Sequence, residues 1–504
     1  MKTMKRMAGV LLALVVALAL TVPAFAAPTN TTITAPADST RTYDVYQIFT
    51  GDLHNGVLSN VKWGENGKGE EGTSVDQATL DALTAVNSKS DTEKLAAIKN
   101  YVNLESTAIG TVDKDTSLTV PTGYYLIKDK GPVGNGETYS LFVVQVVGPT
   151  IISPKTGTTT SEKKVQDTND STGETSNLQD SADYDIGDKV PFQLKGVVAS
   201  DYDRYTTYKF IFHDKESSGL DFDASTVVVK VDGTEITSGY TVVTEGLNDD
   251  CTFEVQFTNL KAITSVHAGS IITVDYKSTL NASAVVGSTG NTNSMHLEYS
   301  NNPNSDGAGN TGNTPEDTVV VFTYKTIINK VTKNPAYDLA KDPEKTGTDS
   351  DGDKEYISLT GAAFKLEKKD STGTWTTVKE FTVDSTTTSF EFSGLDDGTY
   401  KLTETVTPDG YNTIDPIEFT ISATHDTESA TPTLDSLAGN ATGDVITFTV
   451  DKSAGSLSAD VVNKAGATLP ETGGIGTTIF YVLGGVLMLG AVVLLVTKKR
   501  MNAE

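Results

Sequence analysis

Thr226-Val227-Val228-Val229-Lys230-Val231 runs directly into Asp232-Gly233, a β-branched strand closed by a dipeptide suited to a tight turn. Similar short runs rich in Thr, Ser, Val and Tyr recur between Gly, Asp and Asn punctuation along most of the chain, the rhythm of β-sandwich domains. The main exception is helical. Ser74 with Gln77, and Ser90 with Glu93, have capping-box spacing, and Leu80, Leu83 and then Leu95, Ile98 and Val102 follow at helical intervals. A mainly β chain is expected, with two short helices in its first domain.

The two ends read differently from this middle. Lys2, Lys5 and Arg6 precede the apolar run Ala8 to Leu20, and Ala24-Phe25-Ala26 supplies small residues for cleavage, the pattern of a secretory signal peptide over 1–26. At the other end Leu469-Pro470-Glu471-Thr472-Gly473 precedes an apolar run from Thr478 to Val496 and the basic tail Lys498-Lys499-Arg500. Between the ends there is room for about three domains at ~150 residues each. Ile151 to Asp180 is polar and carries Pro154, so a junction is expected near 158. Asn301 to Asp317 reads as a long loop inside the next domain, because strand-like Thr318 to Tyr324 follows. The expected order is three tandem Ig-like β-sandwiches: an N-terminal domain at 27–157, a middle domain at 158–325 and a C-terminal domain at 326–465. A terminal segment with a spanning helix follows at 466–504.

Composition removes several function classes. The formal net charge is -27, and nucleic-acid binding needs Lys and Arg to neutralise phosphates, so no nucleic-acid partner is expected. Cys251 is the one cysteine; it excludes an intramolecular disulfide and reads as a small core residue. His54, His213, His267, His296 and His425 are scattered without paired metal-ligand spacing. In Asp349-Ser350-Asp351-Gly352-Asp353 the Gly comes too early for an EF-hand loop and no Glu closes the twelfth position. That stretch reads as a solvated acidic turn. No metal, cofactor or hydrolytic constellation is expected, and the chain does not read as an enzyme.

The sharpest chemistry is internal. Tyr400, Leu402 and Glu404 alternate onto one face of a strand, which sets a carboxyl among apolar residues. Ionised and alone there it would cost several kcal/mol. Ala459, Val461 and Asn463 share a face near the domain's end, and Ile328 and Lys330 share one at its start. One Lys, one Glu and one Asn thus point into one core. Burial disfavours an ammonium, so Lys330 can become a neutral nucleophile, and it favours the neutral acid at Glu404, which can then polarise the Asn463 amide.

Here the sequence resembles collagen-adhesin B-type domains. Leu359-Thr360-Gly361-Ala362-Ala363-Phe364-Lys365-Leu366 is similar to their LxGAxFxL strand, and Tyr400 to Tyr411 is similar to the pilin E box, with Thr407 where Ala is usual. The resemblance implies an intramolecular isopeptide bond between Lys330 and Asn463, assisted by Glu404. In the middle domain Tyr208, Phe210, Phe212 and Asp214 share a face, as do Met295, Leu297, Tyr299 and Asn301. Leu297-Glu298-Tyr299-Ser300-Asn301-Asn302-Pro303 resembles the closing motif of fimbrial isopeptide domains, whose acid is usually Asp. The implied trio is Lys164, Asp214 and Asn301. Analogy with Lys330 ahead of Val331 favours Lys164, whereas alternation with Val165 would favour Lys163.

The C-terminal order resembles the sorting signal of Gram-positive surface proteins. In that family a sortase attacks the Thr472 carbonyl, releases Gly473 and all that follows, and passes the acyl group to an amine. With the isopeptide motifs, this resembles the backbone, or major, pilins assembled by class C sortases. Ser153-Pro154-Lys155-Thr156-Gly157 stands where those proteins carry their linking lysine, but lacks the upstream Trp and Tyr and the following Asn of the fuller motif. The resemblance implies a secreted, wall-anchored shaft subunit of a pilus, or fimbrium, polymerised head-to-tail between Lys155 and Thr472. The implied partners are a class C pilin sortase, a housekeeping sortase, a peptidoglycan precursor, further copies of the chain, minor tip and base pilins, and an unidentified host ligand. A monomeric wall-anchored adhesin built from the same domains is the competing expectation.

Overall fold

The computed structural model describes residues 30–54, 57–89, 91–154, 157–303, 310–348, 354–466 and 475–501. Among these, strands predominate and form three successive pairs of sheets, followed by a C-terminal helix. The Val-rich run is part of the strand Leu220–Val231, which turns back onto Thr234–Ile236 with Val231 opposite Thr234. Asp232 and Gly233 have φ of 47° and 81°. Two successive left-handed residues are what a two-residue hairpin turn needs, and Asp-Gly supplies them at low cost.

In the first pair, Asn30–Thr34 lies between Leu118–Pro121 and Thr150–Ile151 in a small sheet. The larger sheet is built on Tyr43–His54, flanked by Val57–Trp63 and Gly123–Asp129. Two helices, Gln77–Ala85 and Asp91–Lys99, cover it, and Leu80, Leu83 and Ile98 join the same buried cluster as Phe49 and Leu126. The first helix is capped differently from expectation. Asp76, not Ser74, is the N-cap, its carboxylate accepting from Thr79 N–H at 2.9 Å. Ser74 is instead held extended opposite Lys62, which delays the first helical turn until a carboxylate stands directly before it. Ser90 lies outside the described residues.

The second pair sets Thr160–Thr168, Lys189–Val197, Ile271–Leu280 and Leu220–Val231 against Asp317–Phe322, Asn291–Ser300, Phe210–Glu216 and Phe253–Phe257. Period-two alternation sends Phe192, Phe210, Phe212, Phe253, Tyr276 and Leu297 into one core. Only Thr323 separates this unit's last strand from Tyr324–Lys333, the first of the third. That strand runs parallel to the last, Ser456–Asn463, with Lys330 opposite Val461 and Thr332 opposite Asn463. Ala363–Lys369, Gly398–Val406 and Ile417–His425 form the centre of the facing sheet.

Polar contacts join the units. Between the first and second, Tyr139 N–H donates to Asn301 O at 2.7 Å and Thr138 Oγ1 to Asp201 Oδ2 at 2.9 Å. Between the second and third, Lys368 Nζ reaches Asp185 at 2.6 Å and Asp170 at 3.3 Å, and within its own unit it lies 3.2 Å from Asp396. His425 Nδ1 meets Ser181 Oγ at 2.7 Å, while its Nε2 lies 3.7 Å from Asp183 and 3.8 Å from Asp167. This seam gathers more carboxylates than cations. Burial and the neighbouring Asp183 push the Asp167 carboxyl up to about 7 and Asp397 to about 6.

The chain closes on the helix Ile475–Met501, whose stretch Phe480–Lys499 has a mean hydropathy of 2.4 and is long and apolar enough to cross a membrane.

Candidate functional site

In the third unit, strand alternation carries Lys330, Glu404 and Asn463 inward from three strands, and the facing sheets bring them together. The Lys330 and Glu404 side chains are both fully buried, with Lys330 Nζ 3.2 Å from Glu404 Oε1. Lys330 Nζ also donates to Asn463 Oδ1. The Asn463 amide nitrogen donates to Glu404 at 2.9 Å and 3.3 Å. Glu404 Oε2 is further held by Ile414 N–H at 3.2 Å and Thr407 Oγ1 at 3.3 Å. The Phe364 ring, 5.5 Å from Nζ, forms an apolar wall. Burial pulls the Lys330 amine below the usual lysine range, with Glu404 opposing. The amine and the amide are thus in contact, and the carboxyl lies against the nitrogen that would leave. Thr407, the departure from the E-box pattern, supplies one of the hydrogen bonds that orient Glu404.

The middle unit has a second cluster, assembled differently from the expected trio. Lys163, fully buried, contacts Asp214 Oδ2 and donates to Tyr276 Oη at 2.8 Å. Tyr276 Oη donates to Asp214 at 3.0 Å and accepts from Asn293 Nδ2 at 2.9 Å. Asn293 Oδ1 and Asp214 Oδ1 are buried without a hydrogen-bond partner. Burial lowers the Lys163 amine and raises the Asp214 carboxyl, each opposed by the other's charge. Glu216, beside Asn293 at 3.4 Å, is pushed up to about 7 by burial and by Asp214.

Two assignments are therefore corrected. Lys164 faces away from the core and pairs with Asp180 at 2.6 Å; parity with buried Val165 selects Lys163, because neighbours along a strand point to opposite faces. Asn301 shares its parity with Asn293 but stands eight positions further on, about 27 Å along an extended strand. It lies beyond the end of Asn291–Ser300, at the contact with the first unit. Tyr276, Glu216 and Asn293 were missed, although Asn293 continues the inward series of Met295 and Leu297. Cys251, expected in the core, is half-buried just ahead of the strand Phe253–Phe257.

Ile152 is buried, and Gly157 N–H donates to Thr138 Oγ1 at 2.7 Å. Lys155 between them lies outside the described residues, as do Leu469, Pro470, Glu471, Thr472 and Gly473 and the acidic stretch Asp349 to Asp353.

Residues 186–303 match the Gram-positive pilin backbone subunit 2, Cna-B-like domain; residues 346–434 match a prealbumin-like fold domain; residues 461–503 match the LPXTG cell wall anchor motif. The chain is 25% identical over 350 residues to the trypsin-resistant surface T6 protein of Streptococcus pyogenes serotype M6, a match spanning 57% of this chain and 60% of that relative. In fold it is similar to the T6 backbone pilin of serotype M6 Streptococcus pyogenes, with a TM-score of 0.53 at 17% identity, covering 87% of this chain and 98% of that one. It is also similar to the full-length major pilin SpaD of Corynebacterium diphtheriae, with a TM-score of 0.47 at 17% identity, over 87% and 98% of the two chains. A pilin-backbone domain, a prealbumin-like domain and a wall-anchor motif are thus matched in that order along one mainly β chain, which makes the chain similar to Gram-positive backbone pilins.

Proposed function

We propose that this chain is the structural shaft subunit of a covalently polymerised, wall-anchored pilus, stiffened by internal Lys-Asn isopeptide bonds. The observation that carries the reading is the buried Lys330, Glu404 and Asn463 cluster between the first and last strands of a unit that precedes a wall-anchor motif. Bond formation there balances simply. The neutral Lys330 amine attacks the Asn463 side-chain carbonyl, Glu404 takes the proton that this amine loses and gives one to the departing nitrogen, and ammonia leaves. The folded core supplies the orientation, for which effective molarities of roughly 10^5 to 10^8 M are attainable. Lys163 and Asn293, with Asp214 as the acid, would do the same in the middle unit; this pair replaces Lys164 and Asn301.

Between subunits, a class C sortase would join Thr472 of one copy to Lys155 of the next, and a housekeeping sortase would pass the last Thr472 to a peptidoglycan precursor. Minor tip and base pilins and a host ligand would complete the assembly. The test is a wall digest boiled in SDS from cells producing wild type or Lys155→Ala. A high-molecular-weight ladder in wild type, reduced to one wall-attached monomer band in the variant, is expected. A single band in wild type would make the chain a monomeric adhesin, and a ladder surviving Lys155→Ala would move the linkage to another amine.

A further inference from the structure

The outer face of the second unit carries a group of side chains that neither cross-linking nor sorting uses. On neighbouring strands Glu254, His213 and His296 stand in register, with His213 opposite both others. The two imidazoles stack with centroids 4.6 Å apart and planes 8° from parallel. Around His213 Nδ1 lie Asp249 Oδ2 at 2.8 Å and Glu254 Oε1 at 3.3 Å. Cys251 completes the group: ligand atoms of His213, Asp249 and Cys251 all fall within 4.8 Å of one another. His213, Asp249, Glu254 and His296 line a cavity of about 420 Å³ whose other wall includes Thr311 and Asn313.

We propose that one divalent cation of the zinc class binds at the edge of this cavity through His213 Nδ1, the Asp249 carboxylate and the Cys251 thiolate, with a water in the fourth position. One imidazole nitrogen, one sulfur and one carboxylate oxygen, completed by that water, suit four-coordinate Zn²⁺, and the sulfur disfavours calcium or magnesium. The surroundings are those of a metal-bound histidine. Its other nitrogen, Nε2, is 3.5 Å from Glu298 Oε2, and Glu298 is held by Lys209 Nζ at 2.7 Å. A carboxylate facing the distal nitrogen favours a proton there, the tautomer that frees Nδ1 for a metal. Glu254, held by a hydrogen bond from Gln256 to its second oxygen, adds negative charge beside the site without joining the ligand set. Cys251 would give up its proton on binding. Asp249 and Cys251 sit on the connection between Thr241–Val243 and Phe253–Phe257, so the ion would staple that loop to the sheet in a chain that cannot form an internal disulfide.

The test uses the whole ectodomain, stripped of metal with a chelator and titrated with Co²⁺ and then Zn²⁺. Wild type is expected to take up one Co²⁺ with tetrahedral visible bands and a thiolate-to-cobalt charge-transfer band, both bleached by Zn²⁺. Cys251→Ser should lose the charge-transfer band alone, and His213→Gln should lose both signals. Glu298→Gln, a change in a positioning residue, should weaken binding about 10- to 100-fold with the bands retained. Melting of each metal-free variant at the wild-type temperature separates lost binding from lost folding. Absence of both bands in folded wild type, or bands unchanged in a His213→Gln, Cys251→Ser double variant, would overturn the assignment.

Discussion

Glu404→Ala isolates the mechanical consequence of the third unit's buried cluster. Lys330 and Asn463 are 133 residues apart in sequence, and they sit on the first and last strands, through which tension enters and leaves the unit. A bond between them would put that whole interval out of reach of a pulling force. At about 3.4 Å per residue the shielded length is about 450 Å. Without the bond the unit relies on noncovalent stability, only about 5 to 15 kcal/mol for a domain. Closing a loop of this length would contribute about 5 kcal/mol through the unfolded chain, by the relation used for disulfides. Its loss should lower the unit's melting temperature by roughly 10 to 20 °C. Glu404→Ala should therefore restore one ammonia, about 17 Da, lost when a well-oriented pair condenses, and open the unit to trypsin. It should also add an unfolding step of about 450 Å in single-molecule pulling. A wild-type unit that already extends by this length would refute the load-bearing role of Lys330 and Asn463.

The middle cluster makes a discriminating prediction. Lys163→Ala and Asn293→Ala should each restore about 17 Da to the ectodomain mass, while Lys164→Ala and Asn301→Ala leave it unchanged; the reverse pattern in intact-mass spectra would return the bond to the originally expected pair. The seam between the second and third units predicts a pH effect. Burial and mutual repulsion raise Asp167 to about 7 and Asp188 and Asp397 to about 6, and raise Asp396 and, through Asp183 and Asp167, His425. Raised values mean that the folded seam, which also contains Asp170, Asp183, Asp185 and Lys368, binds more protons than the unfolded chain between about pH 4 and 7. Stability should fall as pH rises through that window, by about 1.4 kcal/mol per pH unit for each extra proton held. Calorimetry should find a higher melting temperature for the ectodomain at pH 5.5 than at 7.5, and an equal or lower one would contradict the seam's charge balance.

The sequence alone determined what depends on local periodicity. Alternation named the inward faces of the strands bearing Lys330, Glu404 and Asn463, because successive side chains on a strand must oppose each other. Asp-Gly marked its hairpin because few dipeptides tolerate two left-handed residues. Tail order and apolar length marked the C-terminal helix. Parity, however, states a face and not a height. Lys163 could be chosen over Lys164 by alternation, yet Asn293 and Asn301 have the same parity, and only cross-strand register, which puts Asn293 opposite Glu216 and near Asp214, and the way one sheet lies over the other, which brings it Tyr276, decide between them. The same limit hid the His213 group, where residues from 209 to 313 converge through cross-strand register and a loop. Where a side chain's partner lies on another strand, its identity follows from the packing of sheets, a long-range property that no local pattern encodes.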